Sequence, residues 1–217
     1  MKKKIAILGS TGSIGKVLIN IIKKDKKNFE IVLLTANNNY KDLLKQTQEF
    51  NVKSVIISNK DSFEKFTKLN KKKKLIIHNN FKNIDKITKT KIDYTMSAIV
   101  GIDGLEPTIN IIKHTKTIAI ANKESIICGW TLIKKNLKKN KTNFIPVDSE
   151  HFSLWFGLMD KNRYAIEKLF LTASGGPFLK KSSNYLQNIT VKKALNHPNW
   201  SMGNKISIDS ATMINKV

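Results

Sequence analysis

A chain of 217 residues with an apolar fraction of 41% is long enough to bury a substantial core, and this composition excludes disorder as its main state. The formal charge of +23 comes from 39 Lys and Arg against 16 Asp and Glu, with Arg163 the only arginine. The lysines are spread along the whole chain without arginine forks or interleaved aromatic platforms, so the charge is assigned to solvated faces and not to nucleic acid or a membrane.

Cys128 is the only cysteine, which excludes an internal disulfide and fits a reducing compartment. The first apolar run, residues 5–8, is too short for a signal-peptide core, and no later run approaches membrane-spanning length. The expected setting is the cytoplasm.

Strand-like runs occur at residues 4–9, 30–35, 52–58, 74–78, 92–97, 116–121 and 143–147. Amphipathic helical patterns separate them at 16–24, 40–50, 62–70, 105–114 and 123–138. Repeated β-α-β spacing requires parallel strands joined by crossover helices. The prediction is α/β: a Rossmann-like doubly wound parallel sheet over residues 1–145, then an incomplete α+β domain over 146–217. In that second part a helix is expected at 151–159 and a strand at 168–173, with residues 206–217 beginning a strand-to-helix unit.

Between the first strand and first helix, "ILGSTGSIGK" places Gly9, Gly12 and Gly15. Glycines there let backbone N–H groups approach a pyrophosphate, and the following helix N-terminus adds partial positive charge. After the second strand, residues 35–41 hold no acid that would repel a 2′-phosphate, which favours NADPH over NADH.

"IPVDSEH" sets Asp148 and Glu150 two residues apart. On a strand end they would point the same way. At roughly 5 Å and an effective dielectric of about 20 they would repel by about 3 kcal/mol, so a proton, a lysine or a divalent cation has to offset them. Oxygen ligands suit Mg²⁺ or Mn²⁺. The competing reading is that Asp148 or Ser149 caps the next helix.

"ANKES" puts Asn122, Lys123 and Glu124 at another strand's C-terminal end, where open α/β sheets bind ligands. "TASGGPF" carries Ser174 in a glycine turn, "HPNWSMG" is a lid candidate with an imidazole and an indole, and "DSATMINK" carries Ser210, Asn215 and Lys216.

With "GSTGSIG", "AIVG", "ANKES", "PVDSEH", "SGGPF", "HPNWSMG" and "KISIDSATMINK" in this order, the chain resembles the 1-deoxy-D-xylulose 5-phosphate reductoisomerase family along essentially its whole length. The resemblance implies that Thr11, Gly12, Ser13 and Ile14 hold the cofactor pyrophosphate, and that Asn37, Asn38, Asn39, Asn122, Glu124 and Gly203 complete an NADPH site. It implies Asp148 and Glu150 as ligands of Mg²⁺ or Mn²⁺. Lys123, Ser149 and Glu150 would contact the substrate's hydroxyls and carbonyl, and Ser174, His197, Ser210, Asn215 and Lys216 would grip its backbone and phosphate. Lys123, Glu150 and His197 are the implied catalytic residues, and a lid over Trp200 and Met202 would exclude water. The implied activity is NADPH-dependent, metal-assisted rearrangement and reduction of a phosphorylated ketose in isoprenoid biosynthesis, by a homodimer when full length.

The chain departs from the family pattern in three places. Family members continue beyond Val217, and their pattern places a third carboxylate ligand shortly after Lys216, so the expectation is a truncated chain or fragment. Asn37 and Asn38 stand where glycine and lysine are frequent, and Asn196 stands where a basic residue is frequent. Two alternatives are a non-catalytic NADPH-binding domain and a basic nucleic-acid-binding protein.

Overall fold

The computed structural model describes residues 1–70, 74–82, 84–87, 90–201 and 203–214. They divide into two compact units, Met1–Asp148 and Ser149–Val217.

In the first unit β1 (Lys3–Leu8) leads into α1 (Ser13–Lys24), β2 (Phe29–Ala36) into α2 (Tyr40–Glu49), β3 (Ser54–Ile57) into α3 (Lys60–Leu69), and β4 (Ile76–His78) into the short α4 (Ile84–Ile87). β5 (Ile92–Ser97) is followed by a 3-10 turn and α5 (Leu105–Ile112), β6 (Thr115–Ile120) by α6 (Lys123–Asn140), and β7 (Asn143–Pro146) ends the sheet. All seven strands are parallel, in the order β4-β3-β2-β1-β5-β6-β7. This is the doubly wound α/β architecture that the alternating pattern predicts. The four-residue α4 is too short to show a helical period, and sequence reasoning missed it.

Strand alternation builds a core on each face. Ile5 and Ile7 of β1 pack with Ile19 and Ile22 of α1, Leu43 of α2 and Phe66 of α3. Ala6 and Leu8 pack the other way, with Ile84 of α4, Ile111 and Ile112 of α5, and Ile133 and Leu137 of α6. Each fully buried large aliphatic contributes about 1.5–3 kcal/mol, so these two layers fix the sheet beneath the strand ends. Three helices start alike: Asn39, Asn59 and Asn122 accept from the N–H of Asp42, Ser62 and Ser125 at the starts of α2, α3 and α6. Each cap contributes about 1 kcal/mol.

The second unit contains α7 (Ser149–Gly157), α8 (Ser183–Leu186), α9 (Val191–Leu195) and α10 (Asn204–Thr212), with 3-10 turns at Arg163–Ala165 and Gly176–Phe178. Two expectations are corrected here. Residues 168–173 form no strand: Leu169, Phe170 and Leu171 are exposed, and no strand among the unit's described residues pairs with them. An isolated run cannot satisfy its backbone groups in a ladder. The segment from Ile206 begins as a helix, because Gly203 supplies an extended N-cap and Lys205 pairs with Asp209 one turn on at 3.0 Å. The alternation of Ile206 and Ile208 mimics a strand.

Candidate functional site

The strand order reverses between β1 and β5, and a cavity of about 530 Å³ opens at the C-terminal ends of these strands. Such a switch point is where doubly wound folds bind their ligands. Gly9, Thr11, Gly12, Asn37 and Ser58 line one part of it, and the loop after β5 lines another.

The glycine turn owes its shape to close approach. Gly9 has φ +80°, and a Cβ there would lie 2.7 Å from the Ala98 carbonyl oxygen. A Cβ at Gly15 would collide with the Gly9 carbonyl and with Ser10, so α1 begins as close to β1 as backbone allows. Gly12 is the N-cap of α1 and offers no side-chain acceptor, and no acid stands in the first turn. The amides that open α1, from Ser13 and Ile14, therefore have no side-chain cap and are available to an anion.

Residues that sequence reasoning missed hold this turn. The Gly9 N–H donates to Thr35 Oγ1 at 2.9 Å, and the buried Ser10 hydroxyl donates to Gln46 Oε1 at 2.7 Å. Gln46 Nε2 returns a bond to the Ser10 carbonyl at 3.0 Å. Only the half-polar face of α2 hints at Gln46 in the sequence.

The opposite wall is organised by Asn122. Its Oδ1 accepts from the Ser125 N–H at 2.8 Å while Nδ2 donates to the carbonyl of Ile99 and, at 2.6 Å, to that of Gly101. Its side chain is thus committed to the loop whose Ile99 and Val100 line the cleft. Thr108 donates to the Gly104 carbonyl at 2.6 Å, so Ser97 supplies the proton of its 2.7 Å bond with Thr108. Asp103 and Glu106, which follow the quoted "AIVG", are two further lining residues that sequence reasoning passed over.

After β2, Asn37 Oδ1 accepts from Ser58 Oγ at 3.2 Å, the Asn38 carbonyl accepts from Ser62 Oγ at 3.0 Å, and Asn39 Nδ2 donates to Asp42 at 2.9 Å. Lys16 of α1 reaches Asp42 at 2.8 Å, and its hydrogen bond holds the Asp42 carboxyl below the usual range.

Adjacent strands β6 and β7 bring Lys123 and Asp148 together. Ile120 pairs with Pro146, and just beyond them Lys123 Nζ stands 3.8 Å from Asp148 Oδ2, both side chains about three-quarters buried. Glu124 follows Lys123 in the first turn of α6. Glu150 lies in the first turn of α7, where the Ser149 hydroxyl donates to its Oε2 at 2.9 Å. The expectation that strand alternation aligns Asp148 with Glu150 is corrected: β7 ends at Pro146 and α7 begins at Ser149, so period two does not apply. Among the described residues no cluster of three or more His, Cys, Asp or Glu has metal-binding geometry.

The second unit gathers Ser174, His197 and Ser210. His197 is buried and stacked on Trp200, with ring centroids 5.0 Å apart and planes 10° from parallel. Its Nδ1 accepts from the N–H groups of Asn199 and Trp200, each at 3.2 Å, which places the ring proton on Nε2. Nε2–H donates to Ser174 Oγ at 3.0 Å, and the Gly176 N–H approaches the same oxygen at 3.3 Å. Ser174 must then donate its own proton to Ser210 Oγ at 3.2 Å. Ser210 ends the chain as a hydroxyl donor, the arrangement a phosphate oxygen accepts from. A Cβ at Gly176 would lie 2.7 Å from the Ser210 carbonyl, so the double glycine lets the turn reach α10. Gly203 is the N-cap of α10. Asn215, Lys216 and Met202 lie outside the described residues.

The family model for 1-deoxy-D-xylulose 5-phosphate reductoisomerase matches residues 5–129, and that for the C-terminal domain of the same enzyme matches residues 144–217. The chain belongs to the 1-deoxy-D-xylulose 5-phosphate reductoisomerase family. It is 63% identical over 217 residues to the reductoisomerase of Pelagibacter ubique, covering 99% of this chain and 56% of that protein. The reductoisomerase of Thermoanaerobacter pseudethanolicus is 44% identical over 214 residues, again with 56% of its length covered. The chain thus spans little more than half of the curated relatives it matches. The reductoisomerase of Zymomonas mobilis, solved in complex with NADPH, superposes with a TM-score of 0.88 at 32% identity, over 100% of this chain and 56% of that one. A reductoisomerase solved with NADPH, fosmidomycin and magnesium superposes with a TM-score of 0.83 at 37% identity, over 99% of this chain and 55% of that one. Among the described residues no helix is long and apolar enough to cross a membrane.

Proposed function

We propose that this chain carries the coenzyme cleft and the substrate-phosphate cluster of an NADPH-dependent reductoisomerase that converts 1-deoxy-D-xylulose 5-phosphate to 2-C-methyl-D-erythritol 4-phosphate. The observation that carries the reading is the uncapped N-terminus of α1 behind Gly12, opening into the cleft at the β1/β5 switch point.

Thr11, Gly12, Ser13 and Ile14 hold the coenzyme pyrophosphate through backbone amides, and Asn37, Asn38 and Asn39 meet its adenosine ribose. Asn122 acts by holding the loop at Ile99 and Gly101, and Glu124 completes this part of the coenzyme site. Ser174, His197 and Ser210 bind the substrate phosphate with donors fixed in advance by their own hydrogen-bond chain. Lys123 and Ser149 contact the substrate hydroxyls, and Asp148 and Glu150, both hard oxygen donors, would hold Mg²⁺ or Mn²⁺. When bound, the cation polarises the ketose carbonyl and the reduced nicotinamide supplies the hydride for the rearranged aldehyde. Lys123, 3.8 Å from Asp148, partly offsets that carboxylate's charge before ligands arrive.

The test joins this chain to the remaining C-terminal portion of the Pelagibacter relative and follows NADPH absorbance. Oxidation that needs both deoxyxylulose phosphate and Mg²⁺ is expected. No oxidation with every component present would overturn the assignment.

A further inference from the structure

The charge lining the coenzyme cleft is opposite to the charge of the chain. Among the described residues no Lys, Arg or His lines it, although 39 of the 217 residues are Lys or Arg, and its charged members are Asp103 and Glu106. Lys16, on the helix that begins at the glycine turn, is committed to Asp42 at 2.8 Å. Lys41 and Lys60 stand in the first turns of α2 and α3, and neither lines the cavity.

In a doubly wound fold the loop after the second strand meets the adenosine ribose, and a cation there is what favours a 2′-phosphate. Here that loop is Asn37–Asn38–Asn39. Asn39 uses both side-chain groups on Asp42. Asn37 accepts from Ser58, which leaves its Nδ2 donors without a protein partner among the described residues, on a residue that lines the cleft. A neutral amide donates to a ribose hydroxyl and to a phosphate oxygen alike. It lacks the charge-assisted bond that separates them, and the charged residues that line the cleft, Asp103 and Glu106, are both acidic.

We infer that this cleft recognises the adenosine ribose through neutral Asn37 and Ser58, so the chain takes NADH as well as NADPH. The inference rests on the coenzyme cleft proposed above. The dissociation constants of the two coenzymes lie within about tenfold of each other, where a cation would separate them by about a hundredfold.

The experiment titrates the 217-residue chain with NADPH and with NADH, reading nicotinamide fluorescence and heat, at low and at moderate salt. Both coenzymes bind with similar affinity. Asn38→Lys raises the ratio of NADPH to NADH affinity by about tenfold. Glu106→Gln tightens NADPH about threefold, more at low salt than at high. Competition by adenosine 2′,5′-bisphosphate against 5′-AMP reads the same discrimination without the nicotinamide end. NADPH bound over a hundredfold more tightly than NADH by the unaltered chain overturns the inference and leaves the proposed function standing, and so does an unchanged ratio in Asn38→Lys. Failure to bind either coenzyme overturns both.

Discussion

Lys123 Nζ lies 3.8 Å from Asp148 Oδ2, the two residues delivered to one place by the C-terminal ends of neighbouring strands β6 and β7. At this separation and partial burial the pair contributes no more than about 1 kcal/mol to folding. Through this pair Asp148→Asn therefore lowers the melting temperature by no more than about 4 °C. In the enzyme completed with the C-terminal portion, it weakens Mg²⁺ by more than about tenfold, read by titrating Mg²⁺ against activity and by Mn²⁺ paramagnetic resonance.

Two glycines of one turn respond differently to a methyl group. Gly15→Ala forces a Cβ into the Gly9 carbonyl and Ser10 and costs about 1–3 kcal/mol, visible in chemical denaturation. Gly12→Ala places its Cβ 3.4 Å from the Gly9 carbonyl, so the fold keeps nearly full stability. NADPH affinity falls, because the methyl group occupies the cleft lining.

In the second unit, Ser174→Ala leaves both the His197 Nε2–H and the Gly176 N–H without their acceptor and costs about 1–3 kcal/mol. Ser210→Ala removes the acceptor of a single hydroxyl and costs less. Both weaken binding of the substrate phosphate. Calorimetry with a phosphonate substrate analogue, run on the completed enzyme, separates the two effects.

His114, just after α5, gives the first unit a pH dependence. Burial pushes its imidazole below the ordinary value, while the Asp85 carboxylate, 2.6 Å away, opposes the shift. Because the folded value is depressed, the unfolded chain binds more protons as pH falls below about 6.5. Its stabilising share is complete above that pH and is lost on acidification toward the folded value, at no more than about 1.4 kcal/mol per pH unit. Denaturation midpoints decline from pH 7 to pH 5.5, and His114→Gln flattens the slope.

The sheet was readable because parallel strands buried on both faces spell continuous apolar runs, and every run from Ile5 to Ile145 became a strand. The glycine turn was readable because Gly9 and Gly15 leave no space for a side chain. Two segments of the second unit misled. Residues 168–173 have strand composition and no ladder, and Ile206 and Ile208 alternate within a helix set by its cap and an i,i+4 pair. The supports of the site were hidden for a different reason. Ser10, Gln46 and Thr35 meet only in space, through hydrogen bonds spanning 25 to 36 residues.

Amide hydrogen exchange of this chain with and without NADPH tests the location of the coenzyme most directly. Exchange slows at residues 12–16 and 99–101, the glycine turn and the loop held by Asn122. Protection confined to other segments, or none at saturating coenzyme, would contradict it.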